Sequence, residues 1–216
     1  MNIDPDRLAR QVKLAYEFVD ALHGQALALI KDVETQLAEA PEELECLRPG
    51  GYRFTANAMS LSLERPQPAI ADYYAVFFRN LAERVKNTPL DGKAPPIGFL
   101  KIVFRERDLK HPEVRFGIVT DVAKPAERAD RWPNKFEDVV NHVARLALVG
   151  PAWFGQRSVR QSYQGSYVSL TIQGMGIRLA DLPDSEAVAK RVVDPLLTMY
   201  RDAIHQAEVS RPGLPD

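Results

Sequence analysis

The chain has 216 residues, 45% of them hydrophobic, which is enough for a core that folds without outside help. Its formal net charge of −1, from 28 basic and 29 acidic side chains, gives no reason to expect nucleic acid, an acidic substrate or a membrane surface. A single cysteine, Cys46, excludes an internal disulfide and a cysteine-cluster zinc site and points to a reducing compartment.

Met1 is followed by the polar stretch Asn-Ile-Asp-Pro-Asp-Arg, unlike the basic start and apolar run of a secretory signal. No segment approaches the ~18 consecutive apolar residues that span a bilayer. The expectation is a soluble, cytoplasmic protein. Charge is unevenly spread: residues 1–47 carry four basic and ten acidic side chains, residues 84–135 twelve and seven, and residues 181–216 four and seven. Acidic helices neutralising a basic sheet within one molecule would explain this, and so would a basic face that binds an acidic partner.

In chain order, Asp4 before Pro5 reads as an N-cap with proline in the first turn, opening a long helix that ends near Ala40-Pro41. Leu8, Val12, Ala15, Val19, Leu22, Ala26, Leu29 and Val33 recur at alternating steps of four and three, which keeps them on one stripe. Leu14, Phe18, Leu27, Ile30 and Leu37 widen it, so packing on a sheet or on several helices is expected. A helix of about thirty-five residues spans ~50 Å, longer than a ~30 Å domain, so part of the stripe should overhang its own sheet. Leu8, Val12, Val19, Leu22, Leu29 and Val33 are therefore the candidate oligomerisation residues.

After Pro49-Gly50-Gly51, alternation over Tyr52 to Leu63 predicts a strand. Ala69 to Val85 is ambiguous: Tyr73 to Phe78 suit a strand, but the apolar spacing also fits a helix, and we read helix for the later part. Phe99 to Arg105 and Val114 to Val122 read as antiparallel neighbouring strands. Asn134 caps a predicted helix from Lys135 to Val149, ended by Gly150-Pro151. Val159 to Leu179 reads as two strand pieces, bent at Gly165-Ser166 or at Gly174 to Gly176. Pro183-Asp184-Ser185 opens a last helix in which Pro195 should force a kink or a split. The reading is a single α+β domain over residues 1–209: a long helix (1–40), a sheet-rich middle with one or two helices (50–180) and a C-terminal helix (183–207). Residues 210–216 read as a disordered tail, and the sheet as largely antiparallel and covered by helices.

Chemistry is poorly signalled. Neither His23 nor His142 has a second ligand on its helix face in a metal motif, and Cys46 beside Glu42, Glu43 and Glu45 is a poor nucleophile. Gly174-Met175-Gly176 lacks the third glycine of a dinucleotide loop and the lysine-serine pair of a P-loop. Metal-dependent nucleases of the PD-(D/E)xK kind need an acid on one strand and Glu-x-Lys or Asp-x-Lys on the next. Here Glu113-Val114-Arg115 ends in arginine, and Asp121 is three residues from Lys124. Arg157 to Tyr167 interleaves arginine, amides and tyrosine, side chains that stack on bases, hold phosphates or anchor protein interfaces, though a plain amphipathic strand looks the same.

These observations favour a non-catalytic interaction subunit or adaptor of a cytoplasmic assembly that oligomerises or meets an acidic protein partner, with no catalytic residue, metal or cofactor assigned. The candidate partner-binding residues are Lys101, Arg105, Arg107, Arg115, Arg157, Arg160, Tyr163 and Tyr167. A nucleic-acid-binding module and a nuclease-like enzyme with a degenerate motif are the alternatives.

Overall fold

Asp4 accepts a hydrogen bond from the Asp6 amide, Pro5 fills the first turn, and the helix runs unbroken over Pro5–Glu39 (α1) in the computed structural model. The structure describes residues 4–46, 73–80, 96–104, 110–123, 155–164 and 169–209. α1 ends where Ala40, preceding Pro41, turns extended. A tight turn closes with the Glu43 amide donating to the Ala40 carbonyl at 2.8 Å and puts Glu43 at φ 44°. A short strand follows: β1, Leu44–Cys46.

The remaining strands are β2 (Tyr73–Asn80), β3 (Ile97–Val103), β4 (Glu113–Ala123), β5 (Gly155–Gln164) and β6 (Ser169–Arg178). Among the described residues all pair antiparallel in one six-stranded sheet of order β1-β2-β3-β4-β6-β5. The α+β class and the long first helix are as the sequence implies. Residues 73–80, where strand composition and helical spacing competed, form strand, and residues 81–85 of the later part read as helix lie outside the described residues. Both faces of β2 are buried from Ala75 to Phe78, so its apolar residues run consecutively and the two-residue alternation that marks a strand disappears. The predicted strand at 52–63, the predicted helix at 135–149 and the tail at 210–216 lie outside the described residues.

The helical layer lies on one face. Ala26, Leu29, Ile30, Val33 and Leu37 of α1 share a core with Val76, Phe78, Leu100, Ile102, Val114, Phe116 and Ile118 of the sheet. The C-terminal helical run supplies Val188, Val192, Leu196, Leu197 and Tyr200 to the same core. It opens as α2 (Ser185–Val188), with Asp184 as N-cap, widens into a π-helical turn over Ala189–Val193, and continues as α3 (Asp194–Val209). The cause of the widening is Pro195. Its ring would collide with the carbonyl four residues back and it has no N–H to donate; the wide turn absorbs the misfit, with the Asp194 amide bonding back to Ala189. Helix α2 is tied to α1 by the Ser185 hydroxyl, which donates to Asp32 at 2.8 Å.

The opposite sheet face is buried as well. Ala75, Phe77, Ile97, Phe99, Val103 and Val119 are at most 2% exposed. On that face Phe99 stands opposite Gly117, which in turn faces Gly174 on β6. A Cβ on Gly117 would meet the Gln173 carbonyl at 2.1 Å, so only glycine fits between these strands. The Gly174 to Gly176 run is not a break between strands; it lies inside β6, and β5 shifts register opposite it, between Gly155 and Val159. A second irregularity falls in β4 between Thr120 and Ala123, where Asp121 takes φ 54° as the extra residue of a bulge.

Candidate functional site

The stripe that builds the α1 half of the core does not stop where the sheet stops. Going towards the N-terminus from Ala26, the same stripe continues as Leu22, Val19, Ala15, Val12 and Leu8. Leu8 and Val12 are 47% and 46% exposed, and Val19 and Leu22 are only half-buried. Beside the stripe, Leu14, Tyr16 and Phe18 are 60%, 58% and 68% exposed. Scattered exposed apolar residues are ordinary, but a contiguous run along one helix segment is characteristic of a surface that meets something. Of the six candidate oligomerisation residues, Leu8, Val12, Val19 and Leu22 lie on this overhanging half. Leu29 and Val33 do not: they are 7% and 0% exposed and packed in the core, because the second half of α1 lies on its own sheet.

A ring cluster marks the boundary between the halves. His23 stacks on Phe104 with centroids 5.4 Å apart and planes 7° from parallel, and Tyr74 meets both rings edge-on. The His23 Nδ1 and the Tyr74 hydroxyl share a hydrogen bond of 2.6 Å, while the His23 Nε2 is buried without a hydrogen-bond partner. His23 is therefore a packing residue where α1 meets the sheet, and among the described residues no group of metal ligands includes it. The sequence showed a lone histidine on a helix; its aromatic neighbours come from β2 and from the residue just past the end of β3 and left no local trace.

The basic residues divide in a similar way. Lys101 and Arg115 are brought together as cross-strand partners, but they are 3% and 2% exposed and so lie inside the protein. The Arg115 Nε donates to the Glu113 carboxylate at 3.2 Å, and the Lys101 ammonium lies 4.6 Å from the centre of the Tyr73 ring. These contacts make the pair part of the internal face of the sheet, where an external acidic partner does not reach. Arg157, Arg160 and Tyr163 are on the edge strand β5; Arg105, Arg107 and Tyr167 lie outside the described residues.

The acids weighed for metal chemistry are not gathered. Glu113 is buried beside Arg115, whereas Asp121 is exposed at the β4 bulge, eight residues further along one strand and thus ~25 Å away. One metal ion cannot bridge that gap. Among the described residues no three His, Cys, Asp or Glu side chains are grouped to hold a metal, and no described helix is long and apolar enough to cross a membrane.

Two bidentate ion pairs brace the body. Arg201 of α3 grips the Glu42 carboxylate through Nε and Nη2, and Asn80 of β2 donates to the Glu42 carbonyl at 2.7 Å. The hydrogen bond from Arg201 holds the Glu42 carboxyl below its ordinary range, opposed by partial burial. Arg178 holds Asp181 through bonds of 3.0 and 2.9 Å, which likewise lowers the Asp181 carboxyl. Both are structural clamps. Compared with protein-family models, curated proteins and solved structures, the chain shows no match to any of them.

Proposed function

We propose that this protein is a non-catalytic interaction subunit that joins an assembly through the overhanging half of α1. The single observation behind this reading is the continuity of the stripe: one helix face is core over residues 26–37, half-buried at Val19 and Leu22, and exposed at Leu8, Val12 and Ala15. Among the described residues no core cluster includes Leu8, Val12, Leu14 or Phe18, and a surface that covers them explains their apolar character. Burying a side chain of this size is worth roughly 1.5–3 kcal/mol, so even partial cover of five or six of them gives useful affinity after the cost of association.

The acidic partner suggested by the charge distribution would have to be met by Arg157 and Arg160 on β5 together with Arg105 and Arg107, because Lys101 and Arg115 are internal. A cytoplasmic setting is in keeping with the single cysteine.

The test is purification of the full chain from its own host at low salt, with mass measured by light scattering, beside a variant carrying Val12→Glu and Phe18→Glu. The expected result is an assembly larger than the monomer of about 24 kDa for the wild type, and loss of that assembly in the variant with unchanged circular dichroism. A wild type that stays monomeric at every concentration and brings no other subunit with it would refute the proposal.

A further inference from the structure

We infer that the surface covering the bare half of α1 is a second copy of this chain, laid antiparallel over residues 5–22; this rests on the reading of the stripe as an interface. The alternating steps of four and three in Leu8, Val12, Ala15, Val19 and Leu22 are the spacing by which one helix meets another helix along a seam. Two copies related by a two-fold axis would set Leu8 against Val19 and Val12 against Ala15, and the same pairs again in reverse, giving four layers that each match a larger side chain with a smaller one. A longer overlap, which would set Leu8 against Ala26, is blocked. Ala26 is 0% exposed and already packed in its own core.

Charge selects the antiparallel direction. Residues 5–13 carry Asp6, Arg7, Arg10 and Lys13, a net of +2, and residues 14–22 carry Glu17 and Asp20, a net of −2, with Lys13 paired to Glu17 along the helix at 3.7 Å. In the register above, Arg7 lies level with Asp20 of the other copy and Arg10 level with Glu17; a parallel pair would put like charges level instead. These groups are on the flank away from the seam, so they steer and orient the encounter more than they hold it. The positions bordering the seam are Ala9, Gln11, Tyr16 and Phe18, none of them charged, so closing the interface buries no ion.

An eighteen-residue overlap is ~27 Å long, and a seam of that length buries less than the ~1,200 Å² at which stable interfaces begin. The pair is therefore expected to dissociate on dilution through the micromolar range. Disulfide trapping reads the arrangement directly. In a Cys46→Ser background, Leu8→Cys and Val19→Cys proteins are oxidised separately and as a mixture, with circular dichroism and melting to verify folding. The expected result is a covalent dimer formed severalfold more in the mixture than in either protein alone, and abolished by adding Phe18→Glu. Dimers formed mainly within each separate sample would overturn the antiparallel arrangement. A purified wild type that is monomeric at all concentrations would overturn self-pairing; if that monomer still recruits another subunit and loses it with Val12→Glu and Phe18→Glu, the interface reading stands and only the identity of the partner falls.

Discussion

Gly117 shows how much a single residue can be asked to do here. Any side chain would run into the Gln173 carbonyl and the Gly174 Cα of the neighbouring strand, both of them backbone atoms that a rotamer change cannot move. Gly117→Ala should therefore cost about 3 kcal/mol or more, read as a lowered urea midpoint or as insoluble protein. Glu43 is the converse case. Its φ of 44° is a left-handed conformation that costs a non-glycine residue roughly 1 kcal/mol, so Glu43→Gly should raise stability by up to about 1 kcal/mol in urea unfolding. Neither constraint is legible in the sequence: Gly117 sits within a β-rich run and Glu43 within an acidic one, and what governs each is a backbone approach or a turn geometry. The same holds for Lys101 and Arg115, which read as surface charges until their strands are placed in the middle of a sheet buried on both faces.

At the scale of elements, α1 is two structures in one helix, and substitutions should separate them. Ile30→Ala should cost about 2–5 kcal/mol, since Ile30 is fully buried, whereas Val12→Ala should lie within about 0.5 kcal/mol of wild type when the protein is dilute. Thermal melts of the two variants at low concentration check the contrast. The start, the end and the stripe of α1 were legible because cap, proline and periodicity are local signals. β2 stayed ambiguous because a strand buried on both faces has no alternation to show, and β1 was missed because three residues carry no period at all.

The Glu42–Arg201 clamp joins the turn after α1 to α3, and it should respond to pH. Because the folded carboxyl is held below its unfolded value, chiefly by the hydrogen bond from Arg201, its contribution is fully present above the ordinary carboxylate range and is lost as pH falls through the lowered value. Arg201 is half-exposed, so Arg201→Gln should cost only about 1 kcal/mol at neutral pH. That difference from wild type should shrink towards zero in urea titrations at pH 3. The Asp181 carboxyl titrates in the same direction in both proteins and so cancels in the comparison.

For the molecule as a whole, the sequence conveyed the α+β class, a largely antiparallel sheet and one pairing, that of β3 with β4, because two strong strands joined by a short link have few other ways to pair. The site was half legible. Length alone said that α1 would overhang, but which of its apolar residues belong to the core and which to the surface depends on where the sheet ends, and His23, Tyr74 and Phe104 that mark this boundary are far apart in the chain. If residues 5–22 are uncovered in the isolated protein and covered in the assembled one, the two halves of α1 should differ in amide exchange. Hydrogen–deuterium exchange of peptides from α1, measured across a dilution series of the wild type, tests it most directly. Amides of residues 26–37 should be strongly protected at every concentration, while those of residues 5–22 should exchange quickly when dilute and gain protection as the protein is concentrated. Equal protection of both halves in dilute solution, or no gain in residues 5–22 on concentration, would contradict it.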